Sequence, residues 1–238
     1  METEFVLFDF DGVIANTEES NAAYLEKALS AFGIQLTDDD RKALIGTNDK
    51  TRIESLLSRS LVKVTAEDLA GKRRQVGNTY ENSCIRPMPG VVSLIQEIRG
   101  RGIKTGLVTS TSTRLIMIAL NRMRMTALFD VVICGDMCAN HKPDPECYKK
   151  AMDYLGAEPC KCIVFEDSAV GIHAARLAGA RVAAYRGSGI QQDVSEADLI
   201  VDSYDECKDM LDDIMQGKIT RGRIMQGRIT QGGIMPCK

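Results

Sequence analysis

The chain has 238 residues, of which 44% are hydrophobic and 26% charged, with 30 lysines and arginines against 33 aspartates and glutamates. This composition excludes a disordered or fibrous body, and no apolar run approaches the roughly 20 residues that cross a bilayer. The net charge of −3 hides a split: five basic and no acidic residues follow Asp213, so residues 1–213 carry −8, which excludes nucleic acid as the principal partner.

The N-terminal Met1-Glu2-Thr3-Glu4 is acidic and lacks an apolar secretory segment, so a cytoplasmic protein with reduced cysteines is expected. Phe5–Phe8 reads as a short buried strand. From 16 to 86 no buried strand follows. Asn16 with Glu19 resembles an N-capping pair, and Ala22, Leu25, Leu29 and Phe32 recur at helical spacing until Gly33. Thr37 and Thr65 each precede an acidic residue by three and read as further helix starts. Arg86-Pro87-Met88-Pro89-Gly90 is a stiff return linker. Some 70 residues exceed an ordinary crossover, so 16–86 is expected as a small helical domain inserted between 1–15 and 87–213.

Beyond the insertion, apolar runs at Ile103–Val108, Val131–Cys134, Cys162–Phe165, Val182–Tyr185 and Leu199–Val201 predict strands. Helical patterns alternate with them. Val91, Leu94, Ile95 and Ile98 form one stripe, and Leu115, Ile118 and Ala119 another. Asp144-Pro145 opens a third helix with Pro at its first position, and Ala169–Ala178 is stopped by Gly179. Strands alternating with helices predict an α/β fold with a doubly wound, parallel, Rossmann-like sheet. Cys134, Cys138, His141 and Cys147 bunch together without a second close pair, and read as buried thiols rather than a zinc site. Residues 214–238 repeat Ile-Met-Gln-Gly with a period of ten and read as a basic extension outside the fold, with a hairpin or an added edge strand as the alternatives.

Asp9-Phe10-Asp11-Gly12 places two carboxylates just beyond the first strand, on one side of an extended backbone. Like charges so close need a cation or a shared proton. The second core strand ends in Thr109-Ser110, Lys142-Pro143 supplies a lysine, and a later strand ends in Glu166-Asp167. In open parallel sheets ligands bind beyond the carboxyl ends of strands near the switch point, so these groups are expected around one place. Acidic oxygens at that density suit Mg²⁺, and a lysine with hydroxyls suits phosphoryl oxygens.

Asp9-Phe10-Asp11-Gly12-Val13, Thr109, Lys142-Pro143 and Glu166-Asp167, in this order and spacing, resemble the four motifs of the haloacid dehalogenase superfamily. The run from Phe165 to Ile172 agrees, and the likeness covers roughly 1 to 205. The insertion resembles the family's helical cap of the first type, and the nearest subgroup is the β-phosphoglucomutase-like phosphatases. The resemblance implies Asp9 as a nucleophile carrying an aspartyl-phosphate and Asp11 as general acid, then base. It implies Thr109, Ser110 and Lys142 on the phosphoryl oxygens. Mg²⁺ would sit on Asp9, the Asp11 carbonyl and Asp167, with Glu166 in or just behind that set.

A Mg²⁺-dependent phosphatase of a small phosphorylated metabolite, a sugar phosphate, is the expected function, acting as a monomer without membrane or nucleic acid. A tail-mediated dimer is the alternative assembly. The rival activities are a β-phosphoglucomutase and a catalytically silent ligand-binding relative. Mutases carry an acid–base histidine where this chain has Asn21, and an arginine for the distal phosphate near where it has Asp49.

Overall fold

Strand β1 (Phe5–Phe8) is buried at all four positions, the mark of a strand covered by helices on both faces. The computed structural model describes residues 2–44, 50–189, 192–209, 211–217, 222–225 and 228–231. Parallel partners flank β1: β2 (Lys104–Val108) on one side and β4 (Cys162–Glu166) on the other. Outside β2 lies β3 (Val131–Ile133), and beyond β4 follow β5 (Arg181–Tyr185) and β6 (Leu199–Val201). These six strands are all parallel, in the order β3-β2-β1-β4-β5-β6. The chain runs outward from β1 to β3, then restarts at β4 on the other side, which makes the β1–β4 boundary the switch point.

The strands hold together because their apolar side chains meet helices. On α6 (Val91–Gly100), Val91, Leu94, Ile95 and Ile98 are all fully buried, as their spacing dictates. Leu7, Val164 and Val182 pack in one cluster with Tyr148 and Ala151 of α8 (Glu146–Leu155) and Ile172 and Ala175 of α9 (Ala169–Leu177). Each such large side chain contributes roughly 1.5–3 kcal/mol on burial. Phe8 stacks on Phe165 at 5.1 Å, and Tyr204 stacks on Tyr185 at 4.1 Å. The Tyr204 hydroxyl donates to the Val13 carbonyl at 2.8 Å, tying α10 (Tyr204–Asp209) to the turn after β1.

Residues 17–85 form a separate compact unit, with 1–16 and 86–238 making the other. The smaller unit is helical: α1 (Glu18–Ser30), α2 (Asp38–Leu44), α3 (Lys50–Leu57), α4 (Ala66–Val76) and the short α5 (Thr79–Asn82). Its core gathers Leu25, Ala28 and Leu29 of α1 with Ile34, Leu36, Leu56, Leu57 and Leu69. Thr65 forms a reciprocal capping box with Asp68, and Thr37 with Asp40 does likewise. The expected cap at Asn16 is displaced: Thr17 is the N-cap and its side chain makes no capping bond. Within the larger unit, Ala15 bridges Pro87 and the Met88 amide donates to the Ile14 carbonyl at 2.8 Å.

Three further expectations are corrected. In α7 (Thr113–Met123) the buried face is Ile116, Ala119 and Leu120, one step round from the Leu115–Ile118 stripe. At α8, Pro145 is the N-cap, and Asp144 accepts from the Glu146 amide at 2.9 Å. The tail does not stay outside the fold. Residue 214 falls inside α11 (Leu211–Met215), where Ile214 and Met215 are buried. β7 (Gly222–Met225) then pairs parallel to β6, and β8 (Arg228–Gln231) pairs antiparallel to β7, extending the sheet to eight strands. Among the described residues, no helix is long and apolar enough to cross a membrane.

Candidate active site

The carboxyl ends of β1, β2 and β4 converge at the switch point. Asp9 leaves β1 with its amide donating to the Phe165 carbonyl at 2.9 Å, and Thr109 leaves β2 with its amide donating to the Ile133 carbonyl at 3.0 Å. Glu166 ends β4, and Asp167 follows it; Asp9, Thr109, Glu166 and Asp167 are all buried. Glycines make this crowding fit. Gly12 has φ +78, and a Cβ there would lie 1.9 Å from Asp167 Oδ2. At Gly171 a Cβ would lie 1.6 Å from Glu166 Oε1.

Lys142 reaches into this cluster and pairs with two of its carboxylates. Its Nζ donates to Asp9 Oδ1 at 2.5 Å, to Glu166 Oε1 at 2.7 Å and to the Val108 carbonyl at 3.3 Å. Burial opposes the ammonium charge, but Asp9 and Glu166 outweigh it and hold Lys142 well above the ordinary lysine range. Glu166 has both oxygens engaged. Oε1 also accepts from the Tyr148 hydroxyl at 3.1 Å, and Oε2 accepts from the Ser168 amide and hydroxyl at 2.9 and 3.0 Å.

Asp9 carries the electrostatic signature of the site. Burial is the largest influence and pushes its carboxyl up to about 8; Lys142 pulls it down, while Glu166 and Asp11 push it up further. Oxygens of Asp9, Glu166 and Asp167 lie within 4.8 Å of one another. Three buried carboxyl groups against one lysine crowd hard oxygen donors into one place, which fits a divalent cation such as Mg²⁺.

The remaining predicted residues are placed as follows. Asp11 is half-buried, its carboxylate is not in the close acidic group, and its Oδ2 accepts from the Thr111 hydroxyl at 3.0 Å. The Thr109 hydroxyl accepts from the Thr111 amide at 3.1 Å. Ser110 is exposed, and its carbonyl lies where a Cβ on Gly135 would approach to 2.2 Å. Thr111 and Tyr148 are the two residues that sequence reasoning missed. Thr111 carries a signal, a hydroxyl two positions after Thr109. Tyr148 carries none, since in the sequence it belongs to the apolar stripe of a helix. Cys134 and Cys147 are buried free thiols, as expected, and Asp49 lies outside the described residues.

Residues 6–185 match the family described as haloacid dehalogenase-like hydrolase. The chain is 30% identical over 176 residues to the phosphorylated carbohydrates phosphatase of Thermotoga maritima, covering 74% of this chain and 82% of that protein. Among solved structures it resembles CbbY from Rhodobacter sphaeroides in complex with phosphate, with TM-score 0.72 and 27% identity over 87% of this chain and 96% of that one. It shares the fold of β-phosphoglucomutase from Clostridium difficile, with TM-score 0.73 and 24% identity over 91% and 98% of the two chains. The chain belongs to the haloacid dehalogenase-like hydrolases, in their β-phosphoglucomutase-like subgroup, and is an enzyme of the hydrolase class.

Proposed function

We propose that this hydrolase is a Mg²⁺-dependent phosphatase of small phosphorylated metabolites, a sugar phosphate being the substrate class, and that it works through an aspartyl-phosphate on Asp9. The observation that carries the reading is a buried Asp9 held at 2.5 Å by Lys142 beside two more buried carboxylates. The phosphatase relative from Thermotoga maritima supports the substrate class.

In the first step an Asp9 oxygen bonds to phosphorus, the bond from phosphorus to the alkoxide breaks, and Asp11 gives that oxygen its proton. In the second, Asp11 takes a proton from water as the water attacks phosphorus. The bond to Asp9 breaks and orthophosphate leaves. Lys142 and Thr109 hold the phosphoryl oxygens as charge develops on them. Thr111 keeps the Asp11 carboxylate in place through its 3.0 Å hydrogen bond. Asp9, Asp167 and the backbone carbonyl of Asp11 would hold Mg²⁺, which when bound offsets the charge of both the carboxylates and the phosphoryl group.

Mutase activity is disfavoured by Asn21. Its Oδ1 accepts from the Thr79 hydroxyl at 2.7 Å, and an amide cannot titrate. All seven described cysteines are free thiols, which fits a reducing, cytoplasmic location. A panel of phosphate monoesters with Mg²⁺ tests the reading. Wild-type protein is expected to release orthophosphate from sugar phosphates, and Lys142→Met to lower that rate by on the order of 10²–10³-fold. Conversion of β-glucose 1-phosphate to its 6-isomer without release would replace hydrolysis by mutase chemistry.

A further inference from the structure

Tyr148 is fully buried in the first turn of α8, within a stripe that also holds Cys147, Ala151, Met152 and Leu155. A purely apolar role would be served by phenylalanine, because a buried hydroxyl costs free energy unless it is hydrogen-bonded. Here the hydroxyl donates to Glu166 Oε1 at 3.1 Å, the same oxygen that accepts from Lys142 at 2.7 Å. The Tyr148 ring also faces the ammonium, with Nζ 4.9 Å from its centroid. Two contacts from one side chain thus bear on the lysine, one direct and one through its carboxylate partner.

We propose that Tyr148 is a positioning residue for Lys142, setting how strongly that lysine binds a phosphoryl oxygen; this rests on the reading of Lys142 given above. By sharing Oε1, the hydroxyl takes up part of the charge that Glu166 directs at the ammonium. Together with Ser168 on Oε2 it also fixes the rotation of the carboxylate. The ring packs against the ammonium without offering a competing acceptor. Lys142 is left held but not neutralised, with its remaining pull directed to Asp9 and the phosphoryl group. Burial, and then Glu166, raises the Tyr148 phenol well above its ordinary range, so it stays a donor.

The test is Tyr148→Phe, which keeps the ring and removes the hydroxyl. KM for a phosphate monoester and the dissociation constant of orthophosphate, measured by calorimetry with Mg²⁺, are expected to rise together by about 3- to 10-fold, with kcat within about twofold. Glu166→Gln supplies the second arm. In that background, removing the hydroxyl is expected to change orthophosphate affinity by less than about twofold, because the partner oxygen is altered. A lower Tm with unchanged orthophosphate affinity would reduce Tyr148 to a packing residue and overturn the proposal. So would effects that simply add in the double variant. If the wild type turns over no phosphate monoester, the phosphatase reading fails, while orthophosphate affinity still decides the part played by Tyr148.

Discussion

Replacing Asp9 with asparagine is expected to lower kcat/KM for phosphate monoesters by on the order of 10⁴-fold or more, because the proposed nucleophile is removed. The same change has an opposite signature in stability. The folded, metal-free protein holds the Asp9 proton up to about pH 8, whereas the ordinary value is 3.8. Between those values the folded state binds a proton that the unfolded chain has released. The stability contributed by Asp9 is therefore full below about pH 4 and lost as pH rises toward 8. Melting temperature of the metal-free wild type, taken relative to Asp9→Asn, should decline by a few °C per pH unit across this window, at up to about 1.4 kcal/mol per unit. Mg²⁺ should stabilise the wild type increasingly over the same range and have little effect on the variant. A difference in melting temperature that does not vary with pH would mean that Asp9 is not held protonated by burial.

Gly171→Ala is the second large effect. The new Cβ would sit 1.6 Å from Glu166 Oε1, and both residues are buried. Glu166 must then move, and with it go its bonds to Lys142, Tyr148 and Ser168. Breaking a buried ion pair in this way costs about 3–5 kcal/mol, and the displaced lysine should cut kcat/KM by about 10²-fold. Gly100→Ala is the control. Outside its own helix turn nothing lies within 4 Å of a Cβ placed there and its φ is not positive, so stability should change by less than about 0.5 kcal/mol. Differential scanning calorimetry of both variants, with turnover, checks the pair. Equal stability for the two would contradict the packing around Glu166.

The central strands were legible because they are short apolar runs buried on both faces, as Phe5–Phe8 and Cys162–Glu166 show. The acids and the lysine of the site were legible because their residue types are costly in a core unless they meet each other or a ligand. Other features depend on geometry that periodicity does not encode. The N-cap of α1 is Thr17 rather than Asn16, and its side chain makes no capping bond, so the capping pattern in the sequence did not decide where the helix starts. In α7, Ile116 and Leu120 displace Leu115 and Ile118 from the core, and all four are equally apolar in sequence. Nothing in the sequence singles out Tyr148, since only the fold shows Glu166 and Lys142 against it. The repeats read as an appendage because residues 222–225 acquire a partner only after β6 is built.

In the proposed mechanism Asp9 itself carries the phosphoryl group. Rapid quenching of the Mg²⁺-loaded enzyme during turnover of a sugar phosphate, followed by borohydride reduction and peptide mass spectrometry, tests it most directly. An acyl phosphate on Asp9 would be reduced to homoserine at that one position, and untreated or substrate-free enzyme would keep aspartate there. Orthophosphate release with aspartate intact at residue 9 under every quench time would contradict the account.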